Sequence, residues 1–330
     1  MKKFFMFAAM ASVALASCTK NEPAASVEQG ELITFDAPVV APVTKAGNAE
    51  FLGDSFKVYS YYSEEDEYDG TGTIYINGAV VNKNLGDGKW KVDGKEYYWP
   101  KNGKLSFVAY SPVSVDASSD ADALTIEYTV PSEANEDLLV SAWNNDLTYG
   151  TAGEVPLAFN HVLSSVNFTF AAMTESSAAD VVGITKIELQ EVNTSATYTM
   201  QYSSVGEWGI SSSPANYTLY SGNKVLLKSL ALTKNDLLLL PQTLSDDVIL
   251  HVEYTLPADA ADGTETTLAQ EADIQLNTAI ANSSALATWA QGTKYNYTIT
   301  FDVQTMTFVP TVVEDANWVD GVNVSAEKVL

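Results

Sequence analysis

Along most of the chain, apolar and polar residues alternate with a period of two. The alternation is clear in Phe51–Tyr62, in Val248, Leu250, Val252, Tyr254 and Leu256, and in Tyr295, Tyr297, Ile299, Phe301 and Val303. This period places one set of side chains on one face of a pleated strand, so each stretch reads as a half-buried strand. Leu105–Tyr110 is apolar on both parities, which predicts a central strand covered on both faces. Asn77-Gly78 within Thr73–Val81 reads as a hairpin turn, as does Asp93-Gly94 between Lys89–Val92 and Tyr97–Trp99. Further strands are expected at Leu124–Val130, Leu138–Trp143, Val162–Phe170, Ile184–Val192, Thr197–Tyr202, Lys224–Leu230 and Leu237–Leu240. Turn signals recur about every ten residues, the rhythm of a β-sandwich. Asn277–Gln291 is the one stretch with helical spacing. Near Gln304 the odd-parity run slips by one residue to Met306 and Phe308, which requires a bulge, a turn or a strand that changes sheet.

The first strand lies near the N-terminus. In Leu32–Val39, Ile33, Phe35, Ala37 and Val39 share one parity, with Thr34 and Asp36 opposite, and Pro38 and Pro42 limit the pairing. Val43–Glu50 is polar and small, an exposed loop open to proteolysis, and it carries Lys45 before Ala46. Upstream, Met1-Lys2-Lys3 is a short positive segment, and Phe4–Leu15 is apolar except for Ser12. That run is too short to span a bilayer, which needs about 20 residues, and fits the core of a signal peptide. Leu15-Ala16-Ser17-Cys18 then resembles a bacterial lipobox. The resemblance implies that the Cys18 thiol is acylated and becomes the mature N-terminus, anchored by chains whose methylenes each contribute about 0.8 kcal/mol. The expected layout is a signal peptide over 1–17, a tether and first strand over 18–45, and sandwiches over 46–155 and 156–330, the latter ending in a C-terminal arm. That arm either caps its own domain or serves a neighbour.

Composition narrows the function. The chain of 330 residues carries 42 acidic side chains against 17 basic ones, a net of −25, and every basic residue is Lys. Nucleic acid is excluded as a partner, because binding it takes basic groups that displace counterions. Cys18 is the single Cys, so stability must come from apolar cores rather than a disulfide within the chain. No HExxH, CxxC, P-loop, GxGxxG or GxSxG pattern is present. His161 and His251 read as surface or edge residues. The acidic loop 63–72 reads either as a calcium site built from hard oxygens or, preferably, as a solvated loop. No cofactor is expected, and no enzyme.

Several ordered segments look like the fimbrillin-like proteins of Bacteroidales, the subunits of type V pili. They are Gly53-Asp54-Ser55-Phe56-Lys57-Val58-Tyr59, Tyr97-Tyr98-Trp99-Pro100, Gly103 through Pro112, Val155 through Val166, Leu240-Pro241-Gln242, and Gly292-Thr293-Lys294-Tyr295-Asn296-Tyr297. The resemblance implies an all-β fold of two tandem transthyretin-like β-sandwich domains behind a lipoprotein signal peptide. It also implies cleavage in the loop behind the first strand, loss of that strand, and filling of the groove by the next subunit. Carried onto this chain, the cut falls between Lys45 and Ala46, where the family usually has Arg, and the lost strand is Leu32–Val39.

The leading expectation is a lipid-anchored fimbrial subunit or accessory adhesin on the outer membrane, which joins the fimbrium after assembly. Its partners are other pilus subunits through strand exchange, outer-membrane lipid through Cys18, and a host or bacterial surface ligand. The alternative is a surface lipoprotein that binds glycans and does not polymerise. That reading calls for exposed Trp or Tyr on which a sugar can stack.

Overall fold

The computed structural model describes residues 30–36, 39–40, 49–50, 54–172, 182–226, 232–259, 265–281, 284–302 and 307–315. The all-β expectation holds. Among the described residues helix is confined to one α-turn, Tyr149–Ala152, and one 3-10 turn, Leu276–Thr278.

A nine-stranded sheet is built on Lys104–Ser111, which lies between Ser55–Ser63 on one side and Leu139–Ser141 and Asn144–Leu147 on the other. Beyond Ser55–Ser63 come Thr73–Lys83 and Trp90–Val92. Beyond Leu139–Ser141 come Ala158–His161, Val39–Val40 and Ala49–Glu50. As its two apolar parities require, Lys104–Ser111 is buried on both faces. Leu105, Phe107 and Ala109 enter a smaller core with Ile33, Phe35, Phe56, Trp90 and Phe159. Val108 and Tyr110, with Tyr59 and Tyr61, enter a larger core formed with the second half of the chain.

Two six-stranded sheets and a two-stranded ladder, Gln242–Thr243 with Thr288–Trp289, form the rest among the described residues. One six-stranded sheet contains Leu232–Leu239, Ser164–Ala172, Lys294–Asp302, Thr307–Asp315, Ile280–Ala281 and Ser284–Ala285, in that order. The other runs Glu265–Gln275, Ile249–Asp259, Val182–Gln201, Ala123–Thr129, Ala117–Ser119, and Glu207–Leu226 pairs along the length of Val182–Gln201. Ala117–Ser119 and Ala123–Thr129 thus join a sheet made mostly of later residues, while Ala158–His161 pairs back to Leu139–Ser141. The sheets interlock across residue 155.

Four local expectations are corrected, and for a fifth, the slip near Gln304, the turn alternative is the one that fits. Asn77-Gly78 is no turn: Thr73–Lys83 is continuous, and Gly78, at φ 58, sits opposite a register shift between Val58 and Ser60. A bulge there uses the same left-handed glycine that a turn would use. Asp93-Gly94 does not close a hairpin: Trp90–Val92 pairs with Thr73–Lys83, and Trp90 and Tyr98 each bridge to the N-terminal segment rather than to each other. Ile184–Val192 and Thr197–Tyr202 are one strand, Val182–Gln201, bent at Glu191 with φ 60. Asn277–Gln291 forms a 3-10 turn and short strands rather than a helix. The slip near Gln304 is a reversal: Lys294–Asp302 and Thr307–Asp315 pair antiparallel, Asp302 opposite Thr307.

Candidate functional site

Glu31 to Asp36 lie in a groove over the smaller core of the nine-stranded sheet. The segment starts at Gly30, where an added Cβ would sit 2.2 Å from the Trp99 carbonyl oxygen, so only glycine lets the backbone pass. Main-chain hydrogen bonds tie both edges. On one edge Ile33 N–H donates to Tyr97 O at 2.8 Å, Phe35 N–H to Trp90 O at 3.0 Å, and Trp99 N–H to Glu31 O at 2.8 Å. On the other, Asp36 N–H donates to Val155 O at 3.0 Å and Val155 N–H to Thr34 O at 2.8 Å. The segment is antiparallel to the first partner and parallel to the second.

Side chains seat it from within. Ile33 and Phe35 are buried, as their parity predicts, and each contributes about 1.5–3 kcal/mol through burial. Phe35 meets Phe107 at 6.1 Å and 90° between rings, and Trp99 backs Phe107 at 5.9 Å. Trp90 and Phe159 close the other side around Phe56, at 5.6 Å and 5.5 Å. Thr34, on the polar parity, is buried as well. Its hydroxyl donates to Glu154 Oε1 at 3.3 Å, and the same oxygen receives Lys89 Nζ at 2.6 Å. That bond holds the Lys89 ammonium above its ordinary pKa. Both charged partners are well exposed, so solvent screens the pair and it adds little to stability.

Lys45 and Ala46, together with Cys18, lie outside the described residues. The strands on either side are described: Val39–Val40 and Ala49–Glu50 pair antiparallel, Val39 opposite Glu50. Val39–Val40 also runs parallel to Ala158–His161. In sequence, residues 41–48 join these two paired strands. Sequence reasoning located Ile33 and Phe35 from parity alone. It missed Gly30, Trp90, Trp99 and Glu154, whose roles depend on contacts far away in the chain.

The other candidates resolve differently. His161 is buried, not superficial: its Nδ1 lies 2.6 Å from Asp137 Oδ2. His251 stands on the outer face of its sheet, Nδ1 2.7 Å from Asp273 Oδ1. Loop 63–72 is pinned by Tyr68, which is buried against Trp143 and Tyr202 and donates its hydroxyl to Ala121 O at 2.5 Å. Among the described residues no group of three or more His, Cys, Asp or Glu is placed to hold a metal ion. A cavity of about 560 Å³ is lined by Glu191, Asp246, Asp247, Asp273, Phe308 and Pro310, among others. None of the described tryptophans is exposed: Trp90, Trp99 and Trp289 are buried, and Trp143 and Trp208 are half-buried with their indole N–H groups on main-chain carbonyls.

Comparison with known proteins agrees with this architecture. The family model for fimbrillin-like proteins matches residues 44–316. No curated protein matches the chain. A crystal structure of a fimbrial protein from Bacteroides vulgatus superposes with a TM-score of 0.64 at 15% identity, over 86% of this chain and 98% of that one. A candidate cell adhesion protein from Bacteroides uniformis superposes with a TM-score of 0.52 at 18% identity, over 87% and 98%. At such identities the likeness establishes the fold. The family match spans most of the chain, and the protein belongs to the fimbrillin-like family.

Proposed function

We propose that the chain is a lipid-anchored fimbrial subunit or accessory adhesin that assembles by strand exchange at the bacterial surface. One observation carries the reading: residues 31–36 fill a groove through main-chain bonds on both edges and two alternate apolar side chains. That is the grammar of β-augmentation, in which backbone pairing gives affinity and alternate pockets give specificity. Any extended segment with apolar side chains at i and i+2 satisfies the same donors, acceptors and pockets. Cleavage between Lys45 and Ala46 would separate residues 31–45 from the rest of the chain, leaving only non-covalent contacts to hold the strand. A neighbour's arm then takes its place, and the head-to-tail contact propagates because it need not close. Cys18 supplies the outer-membrane anchor before cleavage. The two sandwiches are assigned to 46–155 and 156–330, with strands exchanged between them as described.

The competing reading, a non-polymerising lipoprotein that captures glycans, has no exposed Trp among the described residues on which to stack a sugar, and Tyr149 is the exposed aromatic side chain left to it.

The test is N-terminal sequencing of the mature surface protein together with electrophoresis of unboiled samples. A start at Ala46 and heat-resistant ladders are expected. A start at Cys18 with monomers alone would overturn assembly by strand exchange. The arm is tested by removing residues 316–330 and no more. Residues 311–315 pair with Lys294–Thr298, and Val312 is buried, so a cut before Thr311 would damage the sheet itself.

A further inference from the structure

One charged pair meets the strand in the groove from both flanks. Thr34 stands on the other parity from Ile33 and Phe35, yet it is only 7% exposed. Phe35 bridges to Trp90 on one flank, antiparallel, and to Val155 on the other, parallel. Lys89 and Glu154 are the residues just before these two partners. Their side chains meet: Lys89 Nζ lies 2.6 Å from Glu154 Oε1, and the same oxygen accepts the Thr34 hydroxyl at 3.3 Å. The ion pair thus joins the two flanks of the groove at the one side chain that lies between the two apolar anchors of the seated strand.

We propose that Lys89 and Glu154 form a clasp that reads the side chain between the two anchors of an entering strand and selects a short, uncharged hydrogen-bond donor there. Main-chain bonds are the same for every sequence, and the pockets of Ile33 and Phe35 read only apolar size, so neither tells one apolar–x–apolar segment from another. The carboxylate oxygen adds that distinction, because it accepts and never donates. A hydroxyl or amide N–H at this place gains a charge-assisted bond. An acidic side chain sets a second carboxylate beside Glu154, and a basic one competes with Lys89 for the same oxygen. Solvent screens the pair itself, but the side chain it reads is buried, so a misplaced charge there is poorly solvated. In a chain with 42 acidic side chains against 17 basic ones, rejecting an acid at this position discards many wrong strands. The occupant assigned to the groove is the C-terminal arm of a second copy, entering by Val322-Asn323-Val324, where two branched apolar residues flank a short amide donor. Val324-Ser325-Ala326 would leave the Phe35 pocket empty, and Ala316-Asn317-Trp318 would overfill it. This choice of entrant rests on the strand-exchange reading and adds to it which groove residues choose and which arm residues enter.

The test uses the full chain with a recognition site for a sequence-specific protease placed within residues 41–48, cut so that contacts alone hold the groove strand. Labelled peptides spanning residues 318–328, native or with Asn323→Asp, are added in excess. The native peptide is expected to enter at about tenfold lower concentration than its isosteric acid. In the chain carrying Lys89→Glu together with Glu154→Lys the order is expected to reverse, which a merely structural pair would not cause. Equal entry of the two peptides, or the same order in the charge-exchanged chain, would overturn the clasp. A second measurement needs no strand to leave. In the uncut chain, Thr34→Glu should speed hydrogen exchange of the Ile33 and Phe35 amides at least about threefold, and adding Lys89→Glu with Glu154→Lys should slow it again. Absence of that rescue would overturn the clasp. Rescue without entry of either peptide would overturn strand exchange and the entry of Val322-Asn323-Val324 while leaving the clasp on the resident strand, so the two readings fail separately.

Discussion

Phe35 meets Phe56 edge-on, ring centroids 5.6 Å apart and ring planes at 85°. The contact fastens a short N-terminal segment to a strand of the nine-stranded sheet, inside a core that excludes water from both rings. Replacing Phe35 by Ala removes this contact and the one to Phe107 and leaves a cavity. A loss of about 3–5 kcal/mol is expected, read from the midpoint shift in urea at unchanged slope. A loss below about 1 kcal/mol would show that the segment is not an integral part of that core.

Removing residues 31–36 should open the groove without unfolding the sheets. Trp90 and Trp99 then meet solvent, so tryptophan emission should shift to the red and an apolar dye should bind. A synthetic peptide spanning residues 30–40 should reverse both changes, and the same peptide with Phe35→Asp should not. Unaltered emission after removal would mean that the groove collapses rather than waits for a new strand.

Two glycines separate backbone strain from crowding. Gly94 and Gly103 have φ values of 70 and 74, so Ala at either carries the left-handed penalty of about 1 kcal/mol. An added Cβ at Gly94 meets nothing within 4 Å. At Gly103 it would lie 2.5 Å from the Tyr62 ring and 2.7 Å from the Ser63 carbonyl oxygen. Gly103→Ala should therefore cost clearly more than Gly94→Ala in thermal melts, and equal costs would refute the packing argument.

Alkali should unfold the protein through its tyrosines. Burial pushes the Tyr217 hydroxyl from its ordinary 10 up to about 12, and it raises Tyr110, Tyr128, Tyr198 and Tyr297 further. The folded state thus favours the neutral phenol. That stabilisation is complete below pH 10, where both states are protonated, and is lost as pH rises through 10 towards 12. Phenolate absorbance of these residues should appear in one cooperative step together with loss of near-ultraviolet circular dichroism. Gradual ionisation with the dichroism intact would contradict their burial.

Parity made much of this legible. Ile33 and Phe35 were placed on the buried side before any contact was known, and Leu105–Tyr110 was placed between two cores. Glycine signals were less transferable. Gly78 and Gly94 both adopt positive φ as a turn glycine does, yet one sits in a bulge and the other in a loop whose arms face a third segment. A left-handed glycine states what the backbone does locally, not which strand comes next. His161 shows the same limit: its sequence neighbours mark it as an edge residue, and only the approach of Asp137 makes a buried site for it.

By itself the sequence determined the all-β class, the faces of most strands and the acidic character, because these depend on local periodicity and composition. Only the tertiary structure decided which strands pair. It put residues 31–36 between Trp90, Tyr97 and Val155 and sent Ala123–Thr129 across to Val182–Gln201. The physical reason is that strand pairing uses main-chain groups every residue possesses. The partner is then chosen by how distant side chains pack, and no window of local sequence contains that choice.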